Sequence, residues 1–180
     1  MQHKILKMSL KDEEWPLDHI DHTRAISRAF VIDDEGYFYM TKVNRDDEFG
    51  NVTYIETIGG GIEDGESEIE ALERELKEES GIRVDILCKL AKIEDDYNLI
   101  HRHNQNNYYL CKVKGYTSIS MTDQEIEDLH LEVLRLDPKE VIAAYDDNLS
   151  SPLGRLIARR ELPVFKYALE IIDKKQLLTE

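Results

Sequence analysis

A chain of 180 residues with 41% hydrophobic content has the size of one globular domain, with enough apolar side chains for a core that needs no disulfide or structural metal. Asp and Glu number 38 against 23 Lys and Arg, and the resulting formal charge of -15 disfavours nucleic-acid polymers and anionic membrane surfaces as partners. Cys88 and Cys111 form no CxxC, and there is no apolar segment of signal or membrane-spanning length, so a reduced, cytoplasmic chain is the expectation.

Residues 1–22 are mixed and charged around Trp15-Pro16 and read as an N-terminal arm of peripheral elements. Arg24–Ile32 and Gly36–Val43 are strand-like, and Asp33-Asp34-Glu35-Gly36 between them suits a hairpin turn with antiparallel pairing. Asn44–Asn51 reads as a charged loop, and the β-branched run Val52–Ile58 leads straight into Gly59-Gly60-Gly61. Ser67 with Glu70 forms a capping-box pattern and Gly81 is a stop signal, which places a helix over Glu68–Ser80 with Ile69, Leu72 and Leu76 as its buried stripe. Ile82–Ile93 and Asn106–Lys114 read as strands joined by a polar loop, Glu94–Gln105, and Leu129–Leu136 as another strand. Asp137-Pro138 opens a helix to about Tyr145, Ser151-Pro152 repeats that signal, and Pro163–Asp173 reads as an amphipathic helix. Interleaved strands and helices predict a mixed sheet with helices on its faces.

The helix carries an electrostatic anomaly. Glu75, Glu78 and Glu79 stand at i, i+3 and i+4, so three like charges share one patch, in the half of the helix whose dipole prefers cations. A hard divalent cation suits such oxygen donors, and Arg74 alone neutralises only one of them. Spacing by itself leaves a solvated acidic face equally open.

The surrounding frame adds to this. Gly60, Glu66, Arg74-Glu75-Leu76, Glu78-Glu79, Gly81 and Ile82 fill every specified position of G-x5-E-x7-R-E-U-x-E-E-x-G-U, where U is a bulky aliphatic residue. The segment over residues 60–82 resembles the signature box of the Nudix (MutT-like) hydrolases. The resemblance implies an α/β/α sandwich on a mixed sheet, with the box as a loop-helix-loop in a single domain over residues 23–180. It implies that Glu75, Glu78 and Glu79, with the carbonyl of Gly59, hold Mg²⁺ or Mn²⁺, that Arg74 orients the acidic residues, and that Glu66 supports the loop or an outer metal position. It also implies hydrolysis of a small nucleoside diphosphate linked to another group, such as ADP-ribose, another nucleotide sugar, a nucleoside triphosphate or a dinucleotide. Glu75 is the expected base, with Glu125 or Glu127 of the Thr122–Asp128 loop as the alternatives that parts of the superfamily suggest. Pairing into a homodimer is a further expectation from relatives. A Nudix-fold sensor that binds a nucleotide without cleaving it is the rival reading, although such domains usually lose a box glutamate.

Outside the box the signals are weaker. His101-Arg102-His103 reads as a solvated loop rather than a ligand pair, because no third and fourth ligand is spaced around it. That loop could still reach the substrate, with Arg102 on a phosphate and Tyr97 stacked on a base. Asp18-His19 and Asp21-His22 read as a polar connector. Arg24, Arg28 and Lys42 could line a phosphate path but read first as surface or ion-pair residues, and the two cysteines as small buried hydrophobes. Residues 146–180 carry no motif.

Overall fold

A computed structural model describes residues 3–119 and 130–175. In chain order the elements are β1 (Leu6–Leu10), β2 (His22–Ile32), β3 (Phe38–Asp47), β4 (Gly50–Glu56), β5 (Ile58–Gly61), α1 (Glu68–Ser80), β6 (Ile82–Tyr97), a single 3-10 turn (Asn98–Ile100), β7 (Arg102–Tyr116), β8 (Glu132–Leu136), α2 (Pro138–Asn148) and α3 (Pro152–Lys175).

One sheet contains the eight strands of the described residues, in the order β1-β6-β7-β2-β3-β4, with β5 on β2 and β8 on β3. It is mixed: β1 runs parallel to β6 and β2 parallel to β7, and the other pairs are antiparallel. The arm therefore contributes an edge strand. The Asp33–Gly36 turn forms as expected, with Asp33 Oδ1 accepting from the N–H groups of Glu35 and Tyr37 and Gly36 at φ +85°. Direct β2–β3 pairing is limited to Val31 opposite Tyr39 and Ile32 opposite Phe38, because β5 pairs with β2 from Ile26 to Ala29.

Strand alternation divides the core into two layers. Ala29 and Val31 of β2 and Tyr109 and Cys111 of β7 face α1, where Leu72 and Leu76 complete the cluster. Phe30, Ile32, Tyr108 and Leu110 face the opposite way and pack with Val141 and Tyr145 of α2 and Val164, Phe165, Ala168 and Ile171 of α3. The result is the expected α/β/α sandwich. Cys111 is fully buried, and burial pushes its thiol up, away from reactivity.

α1 occupies the residues its punctuation predicts. Ser67 Oγ accepts from the Glu70 N–H at 3.1 Å, Glu70 Oε2 accepts from the Ser67 N–H at 2.7 Å, and left-handed Gly81 (φ +67°) closes the helix.

Three expected boundaries are corrected. The charged loop Asn44–Asn51 is mostly strand, because β3 and β4 pair down to Asp47 opposite Gly50, around a turn in which Phe49 is buried against Trp15 and Tyr97. The polar loop Glu94–Gln105 is likewise strand except for residues 98–101, since Asp95, Asn104 and Asn106 are buried and Asp95 accepts from Asn106 Nδ2. The C-terminal helix begins at Pro152 and passes through Pro163, whose missing N–H falls on an exposed position.

Candidate active site

The site is built where β5 meets α1. Pairing of β5 with β2 sets Gly60 opposite Ser27 and Gly59 opposite Arg28. A Cβ on Gly59 would stand 2.7 Å from Arg28 Cα, and its φ of +152° suits glycine alone. At Gly60 the close neighbour is a carboxylate: a Cβ there would lie 2.5 Å from Glu75 Oε1. Glycine thus lets a carboxylate of α1 come down onto the strand.

On α1, Glu75 and Glu79 sit beside the buried Leu72 and Leu76 and are 8% and 7% exposed. Ionised carboxylates this buried require charged or hydrogen-bonding partners. Arg74 provides one for Glu75 and gathers the carboxylates around it. Its Nε and Nη2 donate to the two oxygens of Glu66 at 2.7 and 2.9 Å, its Nη1 donates to Glu75 at 2.9 Å and to Glu78 at 3.3 Å, and its Nη2 also reaches the Gly61 carbonyl at 3.0 Å. The Gly59 N–H donates to Glu79 at 3.4 Å. One guanidinium therefore ties the start of the box to the middle of its helix. The hydrogen bonds from Arg74, then the one from the Glu63 N–H, hold the Glu66 carboxyl down at about 2.

This places each residue singled out in the box. Glu66, Arg74, Glu75 and Glu78 form one knot, and Glu79 meets Gly59 beside it. The donor set fits a hard divalent ion: oxygen ligands, two of them buried carboxylates, over a glycine cradle that a Cβ would fill. Glu125 and Glu127 lie outside the described residues.

Sequence reasoning missed the support behind β5. Glu161 of α3, fully buried, accepts from the Thr57 N–H at 2.8 Å, the Thr57 hydroxyl at 2.7 Å, Tyr108 at 2.8 Å and Tyr145 at 3.0 Å. Thr57 immediately precedes β5, so α3 anchors the glycine strand from the face opposite α1. Neighbouring Arg160, also buried, donates to Asp95 at 2.9 Å, Tyr97 at 2.7 Å and Tyr108 at 2.8 Å. The available signal was the run Arg159-Arg160-Glu161, three consecutive charges in a helix too short of polar faces to expose them all.

Tyr97 is no stacking platform for a base: it is 7% exposed, packed on Phe49 and bonded to Arg160. Arg102 lies over its ring at 5.2 Å and donates to Asn104 at 2.7 Å. Arg28 is paired with Glu56 at 3.3 Å and the Thr57 carbonyl at 2.9 Å, whereas the Arg24 guanidinium lies along Gly61, 2.7 Å from where a Cβ would be. Lys42 is on β3, opposite Ile55 and Glu132 rather than on the glycine strand.

Comparison with known proteins shows the family and the fold. The NUDIX domain family model matches residues 22–152, well over half of the chain. The chain belongs to the Nudix hydrolase family. Among solved structures, it superposes on a NUDIX hydrolase from Nitrosomonas europaea with TM-score 0.61 and 15% identity, covering 85% of this chain and 90% of that one. The E. coli ORF135 protein gives 0.56 at 18% identity over 86% and 94%. A protein described as an ADP compounds hydrolase gives 0.55 at 21% identity over 84% and 74%. These likenesses concern the fold. The search of curated proteins gave no match.

Proposed function

We propose that this Nudix chain is a divalent-metal-dependent pyrophosphohydrolase that cleaves a nucleoside diphosphate linked to another moiety. The observation that carries the reading is the descent of the Glu75 carboxylate onto Gly60 while Arg74 gathers Glu66, Glu75 and Glu78. Glu75, Glu78 and Glu79, with the Gly59 carbonyl, would hold Mg²⁺ or Mn²⁺. A bound ion of this kind neutralises diphosphate charge and lowers the pKa of coordinated water.

The chain's own residues do the remainder. Arg74 fixes the carboxylates in register and screens their mutual repulsion. Glu75 takes the proton of the attacking water, with Glu125 or Glu127 as the alternative bases. Arg24 and Arg102 stand on one face of the parallel β2–β7 pair, Arg24 opposite Asn104 and Arg102 opposite His22. Burial, then the neighbouring Arg28, pulls Arg24 down against the fields of Glu75 and Glu56. Burial, and then the neighbouring guanidiniums of Arg24, Arg160 and Arg28 against the opposing effect of Tyr97, bring Arg102 down to about 10. Such crowded cations beside the glycine strand suit an anionic substrate group. Residues 23–180 form the hydrolase unit, which acts in the cytoplasm, alone or as a homodimer, on small nucleotides rather than nucleic-acid polymers.

The family includes a fold relative described by its action on ADP compounds, so ADP-ribose heads the substrates to test, followed by other nucleotide sugars, nucleoside triphosphates and dinucleotides. The experiment is a Mg²⁺-supplemented panel with products identified by mass. Cleavage at a phosphoanhydride supports the proposal. Thermal stabilisation by a nucleotide with no product from any member would establish the sensor reading in its place.

A further inference from the structure

Two segments that carry no site by themselves meet at the end of the sheet. The Asp21 N–H donates to the His101 carbonyl at 2.9 Å, which fastens the end of the arm to the turn between β6 and β7. His101 sits in that turn in the left-handed conformation, φ +56°. Its ring stacks on His19 with centroids 4.1 Å apart and planes 11° apart. His19 Nδ1 is 2.9 Å from Asp18 Oδ2, and its Nε2 is 3.6 Å from Asp21 Oδ2. His103, two residues along, turns instead to Asp96 at 2.6 Å, so the HxH of the sequence does not chelate as a pair.

We propose that Asp18, His19 and His101 form a second metal site, for a borderline transition ion such as Zn²⁺, separate from the glutamates of α1. One ligand atom from each residue falls within 4.8 Å of the other two. Ligands on a tetrahedral Zn²⁺ with bonds of about 2.1 Å lie roughly 3.4 Å apart. All three side chains are at the surface or half-buried, so they close that gap by rotation. The hydrogen bonding of His101 sets its tautomer. Its Nδ1 lies 3.0 Å from the His19 carbonyl, which only accepts, so Nδ1 carries the proton and Nε2 presents its lone pair. A ring nitrogen oriented through its partner's hydrogen bond to a backbone carbonyl is the usual support for a metal-binding histidine. Asp21, bound to His22 and facing His19, supplies a fourth donor or orients the second one. Two imidazoles and a carboxylate select Zn²⁺, Ni²⁺ or Cu²⁺ over Mg²⁺, whereas the oxygen-only set on α1 has the reverse preference. The ion would cross-link the arm to the β6–β7 turn.

The test is Zn²⁺ titration by calorimetry on the untagged full chain in excess Mg²⁺, with Cu²⁺ EPR as the ligand-specific readout. Wild type is expected to bind one Zn²⁺ equivalent, weakened at least tenfold in His19→Ala and in His101→Asn, the latter chosen because asparagine tolerates a left-handed backbone. Nitrogen hyperfine structure from two imidazoles should fall to one in each variant. Both variants should melt with wild type in the absence of Zn²⁺. Glu79→Gln should leave Zn²⁺ binding unchanged, which keeps this result independent of the hydrolase reading. No Zn²⁺ binding in Mg²⁺, or binding lost in Glu79→Gln and retained in the histidine variants, would overturn the proposal.

Discussion

Gly60 and Glu75 are a matched pair, because the carboxylate occupies the volume a Cβ would need. Gly60→Ala is expected to displace Glu75 and to cut turnover far more than stability, since the strand's hydrogen bonds survive an alanine. Turnover and melting temperature measured on the same preparation check this: an active Gly60→Ala enzyme would show that the close approach is irrelevant to the reaction. Glu66 and Arg74 make a second matched pair with a pH signature. The folded carboxyl lies near 2 against an ordinary 4.5, so its ionised form favours the native state. That stability is fully present above 4.5 and is lost as pH falls toward 2. The melting-temperature difference between wild type and Glu66→Gln should therefore be constant at neutral pH and shrink through that acid window. A difference that persists unchanged at the acid end contradicts the ion pair.

Among the elements, α1 is specified locally and α3 is not. Capping box, glycine stop and apolar stripe all lie within the helix or next to it, so the boundaries Glu68–Ser80 were legible in the sequence. The value of Glu161 to the site lies in bonds that span 104 residues to Thr57 and 53 to Tyr108, which no local pattern reveals. Glu161→Ala removes acceptors from a buried N–H and three hydroxyls. Its expected cost is roughly 3–5 kcal/mol, the range for leaving buried polar partners uncompensated. Chemical denaturation measures it, and a loss within the noise of a surface substitution would mean the network is not holding β5. Asn44–Asn51 and Glu94–Gln105 misled for the converse reason. Their polar residues look like loop until a partner strand and Arg160 provide for them, and the hydrogen-bond ladder then extends through charged sequence.

At the scale of the whole molecule, the sheet brings together what the sequence keeps apart: β5 under α1, α3 behind β5, and the arm against the β6–β7 turn. The antiparallel β2–β5 pair sets the first of these relations and the parallel β2–β7 pair leads into the last, and parallel partners leave no turn signature between them. The box was therefore readable in full, while its support and its arginine-lined flank had to come from the fold. Among the described residues no helix is long and apolar enough to cross a membrane, and the chain carries a formal net charge of -15. Under the proposed function, that charge would make a bound cation the gatekeeper of an anionic substrate. The proposed function stands on carboxylates of α1 holding a divalent ion for phosphoanhydride cleavage. Its most direct test is turnover of the best substrate by wild type and Glu79→Gln, in EDTA and after Mg²⁺ is restored. Activity is expected to vanish in the chelator, to return with Mg²⁺, and to fall by roughly 10²–10³-fold in a folded Glu79→Gln protein. Full turnover in excess EDTA, or a fully active Glu79→Gln enzyme, would contradict it.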